Sequence, residues 1–167
     1  KDSIRRVQNA SAGFTQSWAN GDRQEALETS QEAFEHFDYI QNELLRQRDV
    51  HRANAATWPT SLFNTALSNT VGQLHNSVTS TNRTWFLGLS QGAGAMPAGA
   101  TLVPLTLEKA LNKLKHRDTV AINFSLSASG GHILYLFTNA GMGKPDSISE
   151  IDVLNFCAAC RSAAQHI

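Results

Sequence analysis

Charge is scarce in this sequence. Only 17% of its 167 residues are Asp, Glu, Lys or Arg, and 14 basic residues meet 14 acidic ones, so the formal net charge is zero. A chain balanced in this way has no field to draw it to nucleic acid or to an anionic membrane. It also has little to oppose self-association. No apolar run approaches the roughly 20 residues that a bilayer span requires, so no membrane span is expected. The two cysteines, Cys157 and Cys160, cannot build a disulfide framework. The opening from Lys1 is polar, so no leader is expected in it. The chain starts within one helical pattern and ends within another, which suggests a segment of a longer protein. Nothing in it addresses a compartment, and a cytoplasmic setting is the default expectation.

Hydrophobic residues supply 41% of the chain, enough for a packed core. Ile4, Val7, Phe14 and Trp18 recur at helical spacing, and Asn20-Gly21-Asp22 then breaks the pattern. Asp22 is placed to cap a second, long helix from Arg23 to about Ala56, with Glu25 at capping-box distance. Ala26, Leu27, Ala33, Phe34, Phe37, Ile40, Leu44 and Leu45 form its apolar stripe. Trp58-Pro59 ends it, because a residue before proline is pushed out of the α region. Leu62, Phe63, Ala66, Leu67, Val71, Leu74 and Val78 continue the rhythm and predict a third helix up to about residue 78.

After Ser80 the pattern changes. Thr84–Leu87 reads as a short strand, the glycine-rich stretch 88–100 as a loop, and Thr106 as the cap of a short helix. Thr119–Ser127 and His132–Asn139 read as a β-hairpin about Ala128-Ser129-Gly130-Gly131. The second of these strands is continuously apolar, as for a strand buried on both faces. Ser147 or Ser149 is expected to cap a last helix. The fold class that follows is α+β: a three-helix N-terminal unit, 1–80, packed on a small unit, 81–167, that contains an antiparallel hairpin.

Four patterns carry possible chemistry. Gly88-Leu89-Ser90-Gln91-Gly92 matches G-x-S-x-G, which in α/β-hydrolases exposes a nucleophilic serine on a strand-to-helix turn. Helices rather than parallel strands precede it here, and Pro97 interrupts the helix that should follow, so Ser90 is a weak catalytic candidate and a glycine-rich connection is favoured. Gly141-Met142-Gly143-Lys144-Pro145 fails the phosphate-loop pattern at two positions and reads as a turn. Cys157 and Cys160 have metal-ligand spacing, with His166 as the only nearby addition. Three ligands fall short of a structural zinc set, and buried small side chains are the default. No cofactor is called for. Leu134, Leu136 and Phe137 lie in the most apolar run of the chain. They are the expected interaction residues, contacting a protein partner, the rest of the same polypeptide or a second copy.

Two stretches resemble known families. Trp18–Phe37, WANGDRQEALETSQEAFEHF, resembles the hinge of a tetratricopeptide repeat, with its Gly-Asp turn, Ala26-Leu27 pair and Ala33. Leu105–Ile167 resembles the opening of CHAT-type, caspase-like domains; roadblock- and longin-like modules share the outline. The CHAT resemblance implies a non-catalytic front part. That family's catalytic His and Cys end later strands, whereas His132 begins its strand and the cysteines lie within a helix. The function expected is therefore a non-enzymatic interaction or regulatory segment of a larger multidomain protein. The rivals are the front part of a CHAT-type protease and a serine-hydrolase-like fragment using Ser90.

Overall fold

The computed structural model describes residues 1–167 and is α+β. Helix α1, Asp2–Ala19, and helix α2, Arg23–Arg52, form a hairpin about Gly21, whose φ of +78° is open to glycine at no steric cost. The Asp22 carboxylate accepts the Glu25 N–H at 3.0 Å and starts α2 as the spacing predicts. α2 stops at Arg52, short of Ala56, and the Trp58-Pro59 pair expected to end it instead opens a 3₁₀ turn, Trp58–Thr60, where proline is tolerated in the first turn; α3, Leu62–Leu67, follows. No helix is long and apolar enough to cross a membrane.

The third helix predicted to run to residue 78 stops at Leu67, and Thr70–Val78 is strand β1. Val71, Leu74 and Val78 are buried as the helical spacing required, but as parts of a sheet. Gly72 explains the choice: a Cβ there would overlap the Glu150 carbonyl of the neighbouring strand. Thr84–Leu87, expected as strand, belongs to helix α4, Ser80–Leu87. A reciprocal cap fixes α4, with the Thr79 hydroxyl accepting the Asn82 N–H and the Asn82 side chain returning to Thr79 N–H. The glycine-rich stretch then leads to β2, Val103–Thr106, and Thr106 caps α5, Leu107–Lys115, as expected. The hairpin forms as β3, Arg117–Leu126, and β4, His132–Thr138. A further strand, β5, Asp146–Asp152, occupies the region expected to open the last helix. That helix, α6, runs Val153–Ala163 and is capped by Asp152.

The five strands form one antiparallel sheet in the order β2-β1-β5-β4-β3. Its larger core lies under the helices, where Leu134, Leu136 and Ile151 meet Ile4, Val7, Phe37, Leu111 and Phe156. Residues 1–80 and 81–167 both contribute to it. On the opposite face Ile133, Tyr135, Phe137 and Ile148 pack under Phe86 of α4, with Leu89 and Met96 from the glycine-rich stretch. Covering both faces explains the unbroken apolar run of β4. It also means that Leu134, Leu136 and Phe137 are fully buried. The surface expected there for a partner is taken by the chain itself, because β4 lies between β3 and β5 and both its edges are paired.

Candidate binding groove

Leu27, Ser30, Gln31 and Phe34 recur at i, i+3, i+4 and i+7 along α2, so they share one stripe of the helix. That stripe faces β3, the last strand of the sheet. A groove of about 480 Å³ runs between them, lined on the strand side by Arg117, Thr119, Val120, Ile122 and Phe124 and reached by Gln91 from the glycine-rich stretch. The gap arises from register. Arg117 pairs with Thr138 and Ile122 with Leu136, so five steps along β3 match two along β4. Residues 118–121 must therefore bulge away from the ladder. The Asp118 carboxylate accepts the Val120 N–H at 3.0 Å, and the apolar Val120 side chain is 85% exposed.

Arg117 closes one end. Its guanidinium donates to both carboxylate oxygens of Asp38, at 2.7 and 3.0 Å, and to the Leu114 carbonyl at 2.7 Å. The guanidinium carbon also lies 5.0 Å from the centre of the Phe34 ring. With its side chain only 13% exposed, this bidentate pair ties α2 to β3 in a partly desolvated setting, where such pairs are strongest. Arg117 is the only ionisable residue lining the groove, and its charge is already matched.

Ser30 lies in the wall, and its hydroxyl is 3.2 Å from Nε2 of His132. A serine bonded to a histidine invites a nucleophile–base reading, which the surroundings oppose. His132 is buried, stacked on Phe14 with ring centres 3.9 Å apart, and its Nδ1 has no partner. No carboxylate or other group at Nδ1 fixes the tautomer or balances a charge on the ring, as a working triad requires. Burial pushes its pKa down to about 4, so the ring is neutral and a poor proton acceptor at neutral pH.

Ser90 fares no better as a nucleophile. Its motif follows helix α4 and precedes no helix, so the strand–turn–helix setting is missing. The main-chain carbonyl of Ser90 is what matters, accepting the Asn123 side-chain N–H at 3.0 Å. Around it the stretch clips onto the outer edge of β3. The Gly92 N–H donates to Asn123 Oδ1 at 2.9 Å, the Gln91 side chain to the Ile122 carbonyl at 3.3 Å, and the Gly94 N–H to the Phe124 carbonyl at 3.0 Å. A Cβ at Gly92 would meet the Trp18 ring at 2.7 Å, and one at Gly94 would overlap the Tyr135 ring. The glycines serve close approach.

Cys157 and Cys160 are fully buried in α6, and His166 lies beyond the end of that helix. Burial raises the Cys157 thiol to about 12 and Cys160 well above its usual value. No group of three or more His, Cys, Asp or Glu residues is placed to hold a metal ion. The structure brings Cys157 and Cys160 into the same core as Leu134 and Leu136, with Phe137 in the core on the opposite face of the sheet and Ser90 on the loop beside β3. The polar residues that it assembles around the groove, Ser30, Gln91 and Arg117, carried almost no signal. The exception was Ser30, a polar residue within the buried stripe between Ala26 and Ala33. In comparisons with protein families, curated proteins and solved structures, the chain matched none.

Proposed function

We propose that this chain is a non-enzymatic protein-interaction or regulatory segment and that it docks its partner in the groove between α2 and β3. The observation that carries the reading is the groove itself: apolar and amide side chains, one neutralised cation, and an exposed Val120 beside a sheet edge. Such a lining rewards apolar contact and hydrogen bonding. It offers no competent acid–base pair. The tetratricopeptide-like hinge at Trp18–Phe37 supports the same reading, because helical hairpins of that kind present surfaces to partners.

The test is site-specific photo-crosslinking in the native cell. Benzoylphenylalanine at Val120 should give one discrete adduct, reproduced with the purified partner and reduced by Phe34→Glu. The same probe at Val50, exposed near the far end of α2, should not. Identical adduct patterns from the two positions would refute the groove as the docking site.

A further inference from the structure

Resting on the groove reading above, we propose that the open stretch of β3, residues 117–121, accepts a short extended peptide as an additional strand, with alternate side chains seated against Leu27, Phe34 and Ile122. A sheet has two edges, and this one treats them differently. β2 is four residues long and contains Pro104, which cannot donate to a ladder, so that edge is blunted. β3 is ten residues long and pairs only with β4.

The chain satisfies half of the β3 edge from within. Ile122 and Phe124 point their carbonyls outward and receive Gln91 and Gly94, and the Phe124 N–H turns to the Asn123 side chain at 2.8 Å. The bond from Gly94 to Phe124 is main chain to main chain, the unit of strand addition. This edge therefore already takes extra backbone. The covering segment stops at Gln91. Beyond it, in the bulged residues 118–121, the Val120 N–H is held by a local contact to the Asp118 carboxylate, which also accepts from the Asn139 side chain at 3.4 Å, and an incoming carbonyl can replace the local contact.

The second wall selects the occupant. α2 overhangs the edge and leaves about 480 Å³, within the size range of small-ligand sites and too little for a second folded copy of the chain. One strand fits. Every second residue of an extended peptide points the same way, so two or three side chains can enter the groove along residues 117–121 of β3. With two guanidinium nitrogens of Arg117 already paired to the Asp38 carboxylate, the groove has no net charge to reward an added one, though the Arg117 Nε still lacks a partner. The partner chemistry is an uncharged segment of about four to five residues, apolar at alternate positions, with Ser, Thr, Asn or Gln between to meet Gln31, Gln91 and Thr119.

The probe is a random hexapeptide library displayed on phage and panned on the full chain. Selected sequences are resynthesised with blocked ends and followed by amide shifts. Shifts are expected at Thr119–Ile122 and at Gln31 and Phe34, and N-methylation should weaken binding roughly tenfold or more at every second peptide position only. Peptides that shift the groove residues but show no alternation on N-methylation would overturn strand addition while leaving the groove reading intact. A selection that yields no peptide, or only peptides shifting residues elsewhere, would overturn both.

Discussion

Acidification should weaken this fold through one residue, His132. The side chain is 3% exposed, stacked on Phe14 and bonded to Ser30 through Nε2, and no carboxylate bonds its ring. Its folded pKa is about 4, against an ordinary 6.5. As pH falls through 6.5 the unfolded chain takes up a proton at this site, while the folded chain takes none until about 4. The unfolded state therefore binds more protons at this site across that window, and the His132 contribution to stability declines as pH drops from 6.5 to 4 and levels off below. At 1.36 kcal/mol per pH unit, the full loss is about 3 kcal/mol, most of it reached by pH 4.5. Equilibrium urea unfolding followed by tryptophan fluorescence at pH 7.5, 6.5, 5.5 and 4.5 measures it. The variant His132→Gln keeps an amide for Ser30 but has no proton to gain, so it should start less stable and show a flatter profile over the same range. A flat profile for the native chain would refute the reasoning, as would an undiminished slope in the variant.

Gly94→Ala would drive a methyl group into the Tyr135 ring and to 3.0 Å from the Phe124 carbonyl, lifting the glycine-rich stretch off β3. A loss of about 1–3 kcal/mol in urea unfolding is expected. Leu136→Lys places an unpaired ammonium at a fully buried position in β4, so circular dichroism should show an unfolded chain, the cost exceeding about 4 kcal/mol. Val120→Lys, at an 85% exposed site, should change stability by less than about 0.5 kcal/mol. With burial pushing Cys157 up to about 12 and Cys160 well above its usual value, neither thiol should react with Ellman's reagent at pH 8 until urea is added. Prompt reaction of the native chain would contradict their placement in the core.

What the sequence revealed follows the range of the forces involved. The Asp22 and Thr106 caps and the β3–β4 hairpin rest on contacts within a few residues, and each was legible, whereas the end of α2 at Arg52, ahead of Trp58-Pro59, was not. β1 was not, because Val71, Leu74 and Val78 satisfy helical spacing as well as burial in a strand. Only Gly72 hinted otherwise, and its reason, the approach of Glu150, comes from across the sheet. In α4, the apolar triplet Trp85-Phe86-Leu87 outweighed the Thr79–Asn82 cap that governs it. The groove was illegible for the same reason on a larger scale. Arg117 and Asp38 are 79 residues apart, and Ser30 and His132 are 102. No local pattern announces such pairings.

The order of the strands has a consequence for synthesis. β5 is the last strand made, yet it lies at the centre of the sheet between β1 and β4. Until Asp146–Asp152 leaves the ribosome, the β1–β2 pair and the β3–β4 hairpin have no strand to join them. Each carries an open, apolar edge in the nascent chain during that interval. Folding of the sheet therefore waits for nearly the whole of this segment, and its final step closes contacts between residues far apart in sequence, such as Leu74 with Ser149. Slow translation before residue 146 would prolong the exposure of those edges, and a chaperone that shields apolar strands would find its substrate there.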